Sequence, residues 1–265
     1  MNKAIILVSH GSVRPETREQ LEELANRIKE KYSDYDVNLS FSGKIIIKLL
    51  KEKYNIIMKT PKEELTRLIQ EGYTEIIVQS LHILPGLEFH GLLKDISEFK
   101  GANIKVGYPL LSSNTDYSKS AKAIQMLFPN LEEKQGVVLM GHGTYHPSNS
   151  GYACLQNHFY DQEKNFFIAN VKGYPKLEHI IGKLHKLNIN QIVLMPYLLT
   201  VGNHVYEDMI GNDNSFIKVL EKEGIKVIPY LKGLVEDVNH QDIFIEHIND
   251  AISGITLKDK FKLDA

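Results

Sequence analysis

The chain has 265 residues, enough for two domains of ordinary size, each with a core of its own. Hydrophobic residues make up 43% and charged residues 24%, as in globular proteins, and a net charge of −2 gives no basic field for a nucleic acid. One cysteine, Cys154, excludes an intramolecular disulfide and any CxxC site. The first element follows almost at once: Ala4-Ile5-Ile6-Leu7-Val8-Ser9 reads as a short buried strand that ends in His10-Gly11-Ser12. Its apolar part is too short for a signal peptide or a membrane span, so a cytoplasmic protein without membrane contact is expected. Glu16–Lys31 then carries Leu21, Leu24, Ala25 and Ile28 at helical spacing. A strand at 37–43 follows, and the charged run from Lys48 to Lys53 reads as a solvated face. Pro61 opens a helix, as proline does where its missing N–H has no partner to lose, and strands at 75–80 and 104–108 follow.

The second half repeats the first. Val137-Val138-Leu139-Met140-Gly141 runs into His142-Gly143-Thr144 as the first strand runs into His10, and the two histidines stand 132 positions apart. Further strands are expected at 137–141, 166–171, 191–196 and 225–230, with Pro175 opening the helix that answers the one at Pro61. Aligning Ile76 with Ile192 puts Gly86 on Gly202 and Glu88 on His204; Ile104-Lys105-Val106 aligns with Ile225-Lys226-Val227. The period is far longer than that of a repeat array, so one fold unit is duplicated.

Continuous apolar strands alternating with amphipathic helices predict an α/β protein with two similar doubly wound parallel-sheet halves, residues 1–125 and 126–265, facing across a cleft. Such sheets bind ligands at the carboxyl ends of their strands. His10, His82, Glu88, His142, Lys172 and His204 all fall there or in the loops just after. His158, His179, His185, His240 and His247 fall on helical stretches or in surface-like context and receive no role. The tail from Thr256 to Ala265 is expected to fray, and the sequence leaves the oligomeric state open, a homo-oligomer included.

No GxGxxG, Walker loop, HExxH or GxSxG occurs, which leaves dinucleotide, P-loop, zincin and serine-hydrolase chemistry unsupported. What remains is a set of imidazoles at separate strand ends, and neutral imidazole is a ligand for cobalt, nickel, iron and zinc. Glycines on both sides of His142 let backbone or a flat ligand approach closely. The residues alone thus describe an α/β protein that handles a divalent metal.

Several segments together carry a resemblance. They are Leu-His-Ile-Leu-Pro-Gly at 81–86, Gly-His-Gly-Thr-Tyr-His-Pro at 141–147, Tyr-Ala-Cys-Leu-Gln at 152–156, Val-Lys-Gly-Tyr-Pro at 171–175 and Leu-Met-Pro-Tyr-Leu-Leu-Thr-Val-Gly-Asn-His at 194–204. With them the chain resembles, over nearly its whole length, the anaerobic sirohydrochlorin cobalt chelatases of the CbiK type, class II chelatases related to ferrochelatase. The resemblance implies insertion of Co²⁺ into sirohydrochlorin in cobalamin biosynthesis, without ATP or an organic cofactor. It implies metal ligation by His142 and His204, to which proton acceptance is added as their catalytic role; the strand-end placement of His10, His82, Glu88 and Lys172 suits them to tetrapyrrole contacts.

The family's third metal ligand is an acid, and here its position holds Lys172. An ammonium repels a dication and offers no lone pair. Three readings stay open. The two histidines hold the metal with water and tetrapyrrole nitrogens while Lys172 pairs with a substrate carboxylate, or Glu178 or Glu88 supplies the missing acid. Alternatively the protein is a degenerate chelatase that binds a tetrapyrrole or haem. Fe²⁺ and Ni²⁺ remain alternatives to Co²⁺, because imidazole does not select among them.

Overall fold

The computed structural model describes residues 2–160, 165–211 and 213–263. The chain divides into two compact units, Met1–Asp116 with His240–Ala265, and Tyr117–Asn239. The first contains β1 (Lys3–Ser9), α1 (Pro15–Lys31), β2 (Asp36–Phe41), α2 (Lys44–Tyr54), α3 (Pro61–Gln70), β3 (Glu75–Ser80), α4 (Leu87–Ser97) and β4 (Ile104–Gly107). Helix α5 (Asn114–Leu127) begins in the first unit and continues into the second. The second then runs β5 (Gln135–Gly141), α6 (Ser150–Tyr160), β6 (Phe166–Asn170), α7 (Leu177–Lys186), β7 (Gln191–Tyr197), α8 (Phe216–Lys222) and β8 (Lys226–Pro229). After it, α9 (Val238–Ser253) and α10 (Leu257–Leu263) return to the first unit.

Each unit holds one four-stranded parallel sheet, ordered β2-β1-β3-β4 in the first and β6-β5-β7-β8 in the second. The α/β class and the parallel sheets are those expected from the alternation of apolar runs and helices. Ala4 to Val8 and Val137 to Met140 are wholly buried, because a central parallel strand is covered on both faces. In the first unit Ala4, Ile6 and Val8 pack with Leu65 and Leu68 of α3 and with Phe89 and Leu92 of α4. In the second, Val138 and Met140 pack with Leu177, Ile180 and Leu184 of α7 and with Leu220 of α8. Each such side chain contributes about 1.5–3 kcal/mol on leaving water.

Register confirms the duplication and corrects one alignment. Lys3 pairs with Glu75 in the first sheet where Gln135 pairs with Gln191 in the second, so the alignments of His10 with His142 and Ile76 with Ile192 hold together. At the edge, Ile76 pairs with Ile104 but Ile192 pairs with Val227. The counterpart of Ile104 is therefore Val227, two residues beyond the Ile225 expected from matching Ile-Lys-Val runs, because ladder pairing rather than composition sets an edge strand.

Three further local expectations differ from the structure. Pro61 does start α3, after a Thr60–Glu63 capping box in which each residue's backbone N–H donates to the other's side chain. Pro175, by contrast, lies ahead of α7, and its carbonyl accepts from Asn170 N at 2.7 Å. The units also partition the chain at other residues than the halves 1–125 and 126–265. Helix α9 docks on the first unit: Arg27 of α1 donates to Gln241 (2.8 Å) and Asp242 (2.6 Å), and the Tyr32 hydroxyl donates to Asn249 (2.6 Å). The tail, expected to fray, forms α10 over residues 257–263. Thr256 donates through its hydroxyl to Asp259 (2.6 Å), and Lys260 lies 2.6 Å from Asp250. Among the described residues no helix is long and apolar enough to cross a membrane.

Candidate functional site

The six residues singled out in the sequence fall into two groups, one in each unit. In the second unit His142 follows β5 directly and His204 lies in the loop after β7. The two rings meet edge to face, with centroids 4.6 Å apart and planes at 72°. His142 donates from Nδ1 to the carbonyl of Gly143 at 2.8 Å, and a carbonyl can only accept, so the Nδ1 proton is fixed. His204 donates from Nδ1 to Asp208 Oδ2 at 2.7 Å. The neutral ring in each case carries its lone pair on Nε2, the arrangement of a metal-ligating histidine whose other nitrogen is held by an oxygen acceptor.

Asp208 follows His204 by four positions, a spacing that helical winding brings together, and Val205–Met209 is wound as a π-helix with Ile210 N donating to Val205 O at 3.1 Å. Single π turns occur often at functional sites. Sequence reasoning missed Asp208. The available signal was a carboxylate four positions after a loop histidine, which becomes informative only once that loop is known to be helical.

Lys172 lies next to His142 through the backbone. Its N–H donates to the His142 carbonyl at 2.9 Å, and Val171 N donates to Gly141 O at 2.9 Å. Gly143 explains the closeness: at φ +67° a Cβ there would fall 1.6 Å from the Lys172 carbonyl oxygen. The glycine expected to admit backbone or a flat ligand thus admits the neighbouring loop. Lys172 itself is exposed. Behind the histidine turn, Tyr152 is buried and burial pushes its phenol up to about 12, so it is a neutral wall.

Among the described residues no group of three or more His, Cys, Asp or Glu is placed to hold a metal. Among the described residues neither Glu178 nor Glu88 joins His142 and His204 in such a group. Glu178 sits exposed in the first turn of α7.

In the first unit His10 follows β1, His82 follows β3, and Glu88 opens α4. Glu88 stands between the two rings. His10 donates from Nδ1 to Glu88 Oε1 at 2.5 Å, and His82 Nε2 lies 3.1 Å from Glu88 Oε2, out of line for a straight hydrogen bond. The buried His82 also shares a hydrogen bond of 2.8 Å with Ser80 through Nδ1. Burial opposes ionisation of Glu88, but the two histidines outweigh it and hold the carboxyl well below the usual carboxylate range. The hydrogen bond to Glu88 raises the pKa of His10 against a smaller effect of burial. The array thus sets an ionised carboxylate against an imidazole made more basic by it, and His10 is its proton-holding group.

The chain can now be placed among known proteins. The family model of cobalt chelatase (CbiK) matches residues 3–253. The sirohydrochlorin cobaltochelatase of Salmonella typhimurium is 30% identical over 257 residues, covering 96% of this chain and 97% of that protein. Sirohydrochlorin cobaltochelatase CbiKC of Nitratidesulfovibrio vulgaris is 32% identical over 262 residues, covering 96% and 92%. In structure the chain is similar to SirB from Bacillus subtilis with Fe³⁺, at a TM-score of 0.66 and 16% identity over 95% of this chain and 96% of that one, which shows a shared fold. With the match to the family model spanning nearly the whole length and two relatives of about 30% identity end to end, the chain belongs to the CbiK family of cobalt chelatases.

Proposed function

We propose that this protein is a sirohydrochlorin cobaltochelatase, inserting Co²⁺ as substrate metal into sirohydrochlorin in the cytoplasm, without ATP or an organic cofactor. The observation that carries this reading is the His142–His204 pair, two imidazoles in edge contact with their Nδ1 protons committed to Gly143 O and Asp208. That leaves each ring's Nε2 as its metal-binding nitrogen. Two neutral donors hold a dication less firmly than a closed set of three or four, which suits an ion that must be handed on.

Insertion exchanges two pyrrolic protons for one M²⁺, so the protons need acceptors. A histidine that gives its Nε2 lone pair to the metal cannot accept a proton with it at the same moment. His142 and His204 therefore alternate between ligation and proton acceptance as the metal leaves them for the ring. We assign His10, His82 and Glu88 to tetrapyrrole contact, with His10 as a secondary proton acceptor, and Lys172 to a carboxylate of the substrate, which carries eight.

A second reading, a carrier of tetrapyrrole or haem, is favoured by one observation: Lys172 stands where the family resemblance expects an acid, and among the described residues no third donor joins the pair. Anaerobic absorbance of sirohydrochlorin with Co²⁺ at several protein concentrations separates the two. A metallation rate proportional to protein and lost in His142→Ala supports the chelatase. A shifted tetrapyrrole band without acceleration supports the carrier. Repeating the assay with Fe²⁺ and Ni²⁺ ranks the metals, which imidazole ligation alone does not.

A further inference from the structure

Two large aromatic side chains on the loops flanking His142 have no part in the chemistry above. Tyr145 is 88% exposed and Tyr174 is 62% exposed. A single exposed aromatic needs no explanation. These two, however, are carried by turns that are fastened to each other. The side-chain amide of Asn149 spans them: its Oδ1 accepts from Thr144 N at 2.9 Å, and its Nδ2 donates to the Tyr174 carbonyl at 2.5 Å. Asn170 Nδ2 donates to the same carbonyl at 3.1 Å. Gly173, at φ +73°, brings the turns into contact, since a Cβ there would lie 2.6 Å from the Thr144 carbonyl oxygen.

The Tyr174 ring is itself held. It meets His179 edge to face, with centroids 4.9 Å apart at 76°, and His179 accepts from Lys176 N at 3.3 Å through Nδ1. The result is a pair of exposed rings on a backbone with little freedom left, an arrangement that loses little entropy on meeting a flat ligand. The same segment carries the exposed Lys172 and Lys176, cations that match a ligand with carboxylates on its rim. The turn is continuous with the metal-binding pair, because Lys172 N bonds the His142 carbonyl.

We propose that Tyr145 and Tyr174, set in place by Asn149, form an aromatic platform that takes the face of the flat tetrapyrrole. Lys172 and Lys176 meet its carboxylates, so that the platform presents the ring to His142. The inference rests on the chelatase reading and deepens it by naming the residues that grip the macrocycle. Tyr145 and Tyr174 are binding residues and Asn149 is a positioning residue.

The test uses the full chain in three forms: wild type, Tyr145→Ala with Tyr174→Ala, and Tyr145→Phe with Tyr174→Phe. Metal-free sirohydrochlorin is titrated anaerobically by absorbance, Co²⁺ alone is titrated by calorimetry, and circular dichroism checks the fold. The alanine pair is expected to weaken sirohydrochlorin binding by ~10-fold or more and raise its KM to match, with Co²⁺ affinity held and kcat changed less than KM. The phenylalanine pair, which keeps both ring faces, restores binding to within about two-fold. Asn149→Ala is expected to reproduce the alanine pair's loss, since it frees both turns. Sirohydrochlorin binding by the alanine pair within about two-fold of wild type would overturn the platform, as would equal loss of Co²⁺ and tetrapyrrole affinity, which marks a structural role. Wild type that inserts cobalt while the alanine pair is unchanged sinks only this inference. Wild type that binds no sirohydrochlorin sinks the chelatase reading and this inference together.

Discussion

Asp208 acts on the candidate site through another side chain, His204. Its carboxylate holds the His204 Nδ1 proton at 2.7 Å and so fixes the tautomer and orients the ring. Asp208→Asn keeps the shape but replaces the carboxylate with a neutral amide, and is expected to lower Co²⁺ affinity by about 10–100-fold, read by calorimetry, while the fold persists. At Lys172 the two readings of the protein diverge. Lys172→Glu is expected to strengthen Co²⁺ binding by adding a carboxylate beside His142 and to weaken sirohydrochlorin binding by removing a cation. A variant that binds both unchanged would leave Lys172 without a role in the site. In the first unit, the His10–Glu88 pair makes a pH prediction. Glu88 is held below its ordinary value of 4.5, so its stabilising share is present above that pH and is lost as pH falls through the lowered folded value. His10 is raised above its ordinary 6.5, so its share is complete below that pH and is lost as pH rises through the raised value. Both shares are therefore in force between about pH 4.5 and 6.5. Glu88→Gln is expected to bring the His10 titration midpoint down toward 6.5, as followed by NMR of its ring protons.

At the scale of elements, α9 is fastened to the first unit by a buried charged cluster. His247, fully buried, donates from Nδ1 to the Tyr108 carbonyl at 2.9 Å and lies 3.1 Å through Nε2 from Asp116 Oδ1. Both partners are oxygen acceptors, so a proton must sit between His247 and Asp116. Asp116 also accepts from the backbone N–H of Ser113 at 2.8 Å and of Ser112 at 3.2 Å, bonds that favour its ionised form. Burial pushes the Asp116 carboxyl up, but His247 and Lys260 outweigh it and hold the group below its usual value. His247→Ala removes the hydrogen-bond partner of that buried carboxylate and is expected to cost about 3–5 kcal/mol in a denaturant titration. Because Asp116 is depressed, its contribution is present above pH 3.8 and is lost as acid drives it through its folded value. The π turn at 205–209 is the other element that composition does not announce. Nothing in Val-Tyr-Glu-Asp-Met marks five-residue winding, and only the ladder from Ile210 to Val205 reveals it.

For the whole molecule, the duplicated sheets and the swapped-back helix predict how damage spreads. In hydrogen exchange of the full chain, His247→Ala is expected to lower protection in β1, β3, β4 and α1 while β5 to β7 keep theirs, because α9 belongs to the first unit. Equal loss in both sheets would mean that the units unfold as one. The expected strand limits lie within two residues of those observed, since continuous runs such as Ile-Ile-Leu-Val can be satisfied only in a strand buried on both faces. The repeat of such a run before His-Gly-Ser and His-Gly-Thr sufficed to read the duplication, the parallel sheets and the placing of His10 and His142 directly after their strands. Those are consequences of local apolar periodicity, which a single chain displays in full. Glu88, expected at a strand end or in the loop after it, stands instead in the first turn of α4. Tertiary structure alone decided the rest: that His142 and His204 touch, that Asp208 backs one of them, that Glu88 is shared by His10 and His82, and that residues 240–263 pack on the first unit. Each of these depends on how loops and terminal helices close over long separations, where ladder register and a few side-chain hydrogen bonds, rather than any pattern along the chain, choose the partner.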